Sequence, residues 1–114
     1  MRRVSWWLRL LGYRPADAKG LKVLLFTRAG CHLCEDAWSF LIQQQQRHGF
    51  RLTSVDVDES AQLVAEYGLE VPVVVIDGKV RFRGKINPVL WERLLRAESR
   101  RLRSRPEPDP GPPQ

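Results

Sequence analysis

Apolar and polar positions change their period several times along the chain. Residues 22–27, Lys-Val-Leu-Leu-Phe-Thr, form a nearly continuous apolar run bounded by turn residues. Such a run predicts a strand buried on both faces of a sheet. Arg28-Ala29-Gly30 is a short loop. From His32 to His48 the apolar positions Leu33, Ala37, Phe40 and Leu41 recur at helical spacing, and Gly49 supplies the stop. The glutamines at 43–46 belong to the polar face of this helix. Residues 50–57 alternate and β-branch like a second strand. A strand–helix–strand unit makes the two strands parallel. Asp58 can cap a following helix with Ala61, Leu63, Val64 and Tyr67 on its apolar face, ended by Gly68. Residues 71–76 read as a third strand, with Pro72 near its start, where a missing N–H is tolerated. Asp77-Gly78 between this run and Lys79–Arg83 predicts a tight hairpin. Asn87 as N-cap and Pro88 in the first turn open a last helix, which Val89, Leu90, Arg93, Leu94 and Leu95 carry to about Arg100.

The predicted order is β-α-β-α-β-β-α, a parallel pair followed by an antiparallel hairpin. It implies an α/β domain with a four-stranded mixed sheet and helices on both faces. The domain spans residues 21–98. Residues 1–20 are a basic and aromatic extension: Val4, Trp7, Leu8 and Leu11 share one helical face, and Arg2, Ser5 and Arg9 the opposite one. Gly12 and Pro15 would end such a helix. This short amphipathic segment is expected to pack on the domain or to make a weak contact with a membrane surface or a partner. Residues 99–114 read as a disordered Arg/Pro-rich tail, with five prolines in the last nine residues.

Charge changes the picture little. The net charge is +6, yet residues 21–98 carry ten basic and ten acidic side chains. Residues 1–20 carry five basic and one acidic, and residues 99–114 four and two. The excess therefore sits at the ends, which argues against a domain built to bind nucleic acid specifically. No stretch approaches the roughly 20 apolar residues of a membrane-spanning helix. Arg9 interrupts the N-terminal apolar run, and no small-residue cleavage site follows it, so the chain is expected to be unprocessed and cytoplasmic. It is long enough to fold without disulfide staples, and a monomer is expected.

The chemistry lies in Cys31-His32-Leu33-Cys34, which holds the only two cysteines. In a reducing compartment a close pair is catalytic or metal-binding rather than structural. A C-x-x-C where a strand turns into a helix is the pattern of a redox dithiol, and with this element order it specifies the thioredoxin fold. Cys31 falls at the helix N-cap, where unpaired N–H groups and the helix dipole favour a thiolate, and Arg28 adds a cation nearby. Cys34 lies one turn deeper on the same face. Cys31 is thus the attacking cysteine and Cys34 the resolving one. His32 is either a modulator of the thiolate or an exposed residue of the first turn. A Val71–Pro72 bond in the cis form would turn the Val71 backbone toward the dithiol for pairing with an extended substrate. Statistics alone favour trans, since only about 5–6% of X–Pro bonds are cis. No metal is expected, because structural zinc needs four ligands and His48 stands about 20 Å away along the helix.

Residues 27–35 (Thr-Arg-Ala-Gly-Cys-His-Leu-Cys-Glu), Val55-Asp56-Val57-Asp58, Tyr67-Gly68-Leu69-Glu70-Val71-Pro72-Val73 and Ile76-Asp77-Gly78 together resemble the small bacterial glutaredoxin-like proteins of the thioredoxin superfamily. The resemblance covers roughly residues 21–98. It implies a dithiol–disulfide oxidoreductase with Cys31 attacking, Cys34 resolving and Pro72 cis. It also maps onto Arg28 the basic residue that contacts glutathione in true glutaredoxins. The motif departs from C-P-Y-C, and Gly84-Lys85-Ile86-Asn87 replaces the Gly-Gly-Asp that helps bind glutathione. A disulfide-containing protein or glutathione is the expected partner, glutathione a candidate reductant, and no bound cofactor is expected. Two other readings are a non-catalytic thioredoxin-fold adaptor that recruits a partner through residues 1–20, and a dimeric iron–sulfur cluster or metal-binding protein.

Overall fold

A computed structural model of the chain describes residues 18–104. Its elements are β1 (Lys22–Thr27), α1 (His32–His48), β2 (Arg51–Asp56), a 3-10 turn (Val57–Glu59), α2 (Ala61–Tyr67), β3 (Val73–Ile76), β4 (Lys79–Arg83) and α3 (Pro88–Ser104). The sheet order is β2-β1-β3-β4. β1 and β2 are parallel, with Lys22 opposite Arg51 and Thr27 opposite Asp56. β3 runs antiparallel to both β1 and β4. This is the mixed four-stranded thioredoxin fold that the element order implies. The expectations for residues 1–17 and 105–114 lie outside the described residues.

β1 is central and explains how the layers form. Its Val23 and Leu25 are buried together with Ala37 and Leu41 of α1, Val74 and Ile76 of β3, and Trp91 and Leu95 of α3. Side chains alternate across a strand. Phe26 therefore points to the other face, where its ring stacks on Tyr67 of α2 with centroids 4.5 Å apart. Two helices cover one face and one covers the other. Trp91 is the centre of the larger core, only 1% exposed. Phe40, Phe50 and Phe82 surround its ring with centroids at 5.8, 5.6 and 6.5 Å. Its indole N–H donates to Gln44 Oε1 at 2.9 Å, so the one polar atom of the side chain is satisfied.

The hairpin turns on Asp77 and Gly78, with φ of 47° and 84°. Two left-handed residues make the turn whose twist matches the flanking strands. Asp77 also fastens the hairpin to the sheet. Its carboxylate accepts the Lys22 N–H at 3.0 Å, and its own N–H donates to the Lys22 carbonyl at 2.9 Å.

Several boundaries differ from the sequence reading. β2 stops at Asp56, because the Asp56 carboxylate accepts the Asp58 N–H at 2.9 Å and starts the 3-10 turn. Ser60, not Asp58, caps α2, with Oγ accepting the Leu63 N–H at 3.3 Å. β3 begins at Val73 because Pro72 has no N–H for the ladder. α3 continues to Ser104, so residues 99–104 are helical rather than tail. The cause is packing: Ser99 is buried, Leu102 lies against the core, and Arg101 bonds both Glu98 and Asp77 at 2.7 Å. At the other boundary Ala18 is already fully buried, so the packed domain includes residues before 21.

Candidate active site

Strand directions bring three chain segments to one edge of the sheet. Phe26 near the end of β1 pairs with Val73 at the start of β3, and Val73 pairs with Arg83 at the end of β4. The loop into α1, the loop before β3 and the loop after β4 all leave from this edge.

The first of these loops carries the cysteines. Cys31 is the N-cap of α1, with an extended backbone at φ −106° and ψ 108°. Its Sγ accepts the Cys34 N–H at 3.1 Å, the place an oxygen takes in an ordinary cap. Its carbonyl accepts the Glu35 N–H at 3.1 Å. Gly49 closes the helix in the left-handed region at φ 82°, donating to the Gln45 carbonyl at 2.8 Å. Cys31 and Cys34 are joined as a disulfide, with Cα atoms 5.2 Å apart. Cys31 is half-buried, whereas Cys34 is only 2% exposed. A reagent can therefore reach the first sulfur and not the second.

The second loop carries Pro72, which is buried behind a cis Val71–Pro72 bond. The resemblance implied that isomer where statistics favoured trans. Val71 is half-exposed, and its backbone N–H and C=O make no hydrogen bond within the described structure. The Pro72 and Glu70 carbonyls both accept the Gly84 N–H, at 2.7 and 3.1 Å, which ties this loop to the third one. Glu70 also pairs with Arg83, whose guanidinium lies 6.0 Å from the centre of the Tyr67 ring.

The Arg28 guanidinium has partners of its own within the fold. Its Nε and Nη2 donate to the two oxygens of Asp58 at 3.1 and 3.0 Å, and its Nη1 donates to the Gly68 carbonyl at 3.1 Å. The hydrogen bond donated to Asp58, and then the charge of that carboxylate, hold the guanidinium above its ordinary pKa. No hydrogen bond or ion pair joins Arg28 to Cys31. Arg28 instead ties the dithiol loop to the loop that leads to Pro72. Sequence reasoning read Asp58 as the helix cap, a place Ser60 takes, and Gly68 as the helix stop, which it is; it missed that both hold Arg28. A Cβ on Gly68 would stand 3.3 Å from Arg28 Nη1 and 2.5 Å from the Val64 carbonyl. His32 is exposed in the first turn of α1, its Nδ1 4.0 Å from Glu35 Oε1. Asn87 caps α3, accepting the Val89 and Leu90 N–H groups at 2.9 and 3.1 Å. Among the described residues, no three His, Cys, Asp or Glu side chains cluster as a metal site.

A thioredoxin fold with a C-x-x-C disulfide at the start of its first helix, beside a cis-proline loop, defines a dithiol domain of the thioredoxin superfamily. The chain belongs to the glutaredoxin-like family: residues 22–98 match the model described as "Glutaredoxin-like domain (DUF836)". An uncharacterized protein of Mycobacterium bovis is 33% identical over 93 residues, which cover 77% of this chain and 92% of that protein. A structural-genomics target protein from X. campestris, solved by X-ray crystallography, is 32% identical with a TM-score of 0.54, covering 66% of this chain and 96% of its own. Desulfothioredoxin from Desulfovibrio vulgaris Hildenborough, solved in its reduced form, is 30% identical with a TM-score of 0.52, covering 70% and 84%.

Proposed function

We propose that the protein is a thiol–disulfide oxidoreductase that reduces disulfides in other proteins. The observation that carries this reading is the Cys31–Cys34 pair, with the outer sulfur reachable at a helix N-terminus and the inner one buried. Once the pair is reduced, the free N–H groups and positive end of α1 favour a thiolate at Cys31. That thiolate attacks one sulfur of a substrate disulfide. The substrate S–S bond breaks, its other sulfur leaves as a thiolate, and Cys31 is held in a mixed disulfide. Cys34 then loses its proton and attacks Cys31 Sγ, releasing the second substrate sulfur. Two electrons have passed to the substrate, and the dithiol has become the disulfide. A second dithiol or glutathione must restore it.

The surroundings favour protein substrates. The unpaired Val71 peptide groups support pairing with an extended segment. Leu33 in the first turn of α1 and Leu69 in the loop before Pro72, 45% and 99% exposed, offer apolar contact beside the dithiol. Recognition of glutathione needs cations for its carboxylates, and here Arg28 is paired with Asp58 and Arg83 with Glu70. Glutathione therefore fits better as a reductant than as a tightly held ligand. The similarity to a desulfothioredoxin supports the same class.

The test is reduction of insulin disulfides by the purified chain, supplied with glutathione and its reductase or with a thioredoxin reductase system. Wild type should turn over and Cys31→Ser should be inert. Cys34→Ser should accumulate a mixed disulfide that dithiothreitol dissolves. Inactivity of the wild type with both reducing systems refutes the reading, and a Cys34→Ser protein that traps nothing refutes the assignment of roles.

A further inference from the structure

We propose that Glu70 is a specificity-determining residue, which masks the charge of Arg83 and so selects against disulfides flanked by acidic residues. The inference rests on the oxidoreductase reading. Glu70 immediately precedes Val71, whose peptide groups are unpaired. The carbonyls of Glu70 and Pro72 both accept the Gly84 N–H, on the side of β4. Peptide groups alternate in direction along extended backbone, so those of Val71 are left for a strand on the other side. A substrate segment paired there would run about 4.8 Å away, with a residue beside its reactive cysteine next to Glu70. The charge at Glu70 therefore acts on the flanks of the substrate cysteine.

The Glu70 carboxylate pairs with Arg83 at the end of β4, and both side chains are half-exposed. Arg28, the cation of the dithiol loop, has its donors taken up by both oxygens of Asp58 and by the Gly68 carbonyl. Arg83 differs, because Glu70 is its one carboxylate partner among the described residues. Without Glu70 the guanidinium would be an exposed fork for carboxylates beside the pairing position. With Glu70 the two charges cancel, and the apolar side chains of Leu69 and Val71 favour a neutral flank. Glu35 and Asp36, exposed near the start of α1, repel acidic segments as well. Lys85, exposed on the loop after β4, is a background common to every variant below.

The experiment compares two peptide disulfides that differ only in whether leucine or glutamate flanks the cysteine on both sides. The full chain is reduced with dithiothreitol, desalted and mixed with each, and the second-order rate of peptide thiol release is measured. In each turnover the Cys31–Cys34 dithiol gives two electrons and two protons to the peptide disulfide, which leaves as two thiols. Wild type should reduce the leucine peptide faster. Glu70→Gln frees Arg83 and should lower the leucine-to-glutamate ratio about fivefold, the size of one exposed ion pair. Arg83→Gln unmasks Glu70 and should raise the ratio by a similar factor. The double variant is neutral again and should return to the wild-type ratio. Each shift should shrink as salt rises. The ratio is taken within one protein, so a misfolded fraction cancels, and a pair that only braced the loop would make the two single variants alike. A wild type that prefers the glutamate peptide, or single variants whose ratios stay unchanged or move in the same direction, overturns this proposal alone. A wild type that reduces neither peptide overturns it together with the oxidoreductase reading.

Discussion

At the scale of single residues, the position of Arg28 changes the account of the dithiol most. Three residues before Cys31, a cation reads as a partner for the thiolate. The folded chain gives its guanidinium to Asp58 and Gly68 instead, thirty and forty positions away in sequence. Arg28→Ala should accordingly leave the pH midpoint of Cys31 alkylation unmoved while raising KM for a protein disulfide severalfold, with Asp58→Asn behaving alike. A midpoint shifted upward by one pH unit or more in the alanine variant would show that the guanidinium acts on the sulfur directly. The pH dependence has a definite sign. Asp58 raises the arginine pKa in the folded state, so its contribution is complete below the unfolded value and lost only as pH rises through the folded one. Activity near neutral pH should therefore titrate with the dithiol and not with Arg28. Nothing local marks this pairing, because Asp58 also suits a helix start and Gly68 also suits a helix end.

At the scale of elements, the legible features were those with a local physical cause. β1 and α1 begin and end where the apolar run, the N-cap position and the stop at Gly49 place them. Asp77-Gly78 makes the hairpin because its two residues accept positive φ. The last helix shows the limit of such reasoning. Its start at Pro88 is a matter of capping, but its inward face is not. Val89 and Leu90, two of the apolar residues that carry the helix, are 63% and 48% exposed, and Trp91 fills the core. Overlapping apolar stripes have nearly equal phase on a helix, and only the aromatic rings arriving from α1, the turn before β2, and β4 select one. Trp91→Ala should cost about 3–5 kcal/mol in urea unfolding, from the lost burial and the cavity among three phenylalanines. A loss below about 1 kcal/mol would mean that the core closes around the gap.

At the scale of the molecule, the domain is larger than its apolar pattern. Arg101 bridges Glu98 and Asp77, and Leu102 covers the core beside Gly20, so the last turns of α3 hold the hairpin and the start of the domain together. A chain ending at Glu98 should melt about 10 °C below one ending at Ser104, since roughly 2 kcal/mol of packing and pairing is removed from a domain of this size. Equal melting temperatures would place those turns outside the cooperative unit. The sequence by itself determined the order of elements, the parallel pair, the hairpin and a dithiol at a helix start, because each follows from periodicity, capping or turn geometry within a few residues. Helical spacing already put Cys34 one turn deeper than Cys31, and the fold seals it; the tertiary structure alone decided that Arg28 braces two loops. It also decided that Trp91 is the centre of the core. Those outcomes depend on which surfaces meet across long separations in the chain, and local pattern carries no record of that.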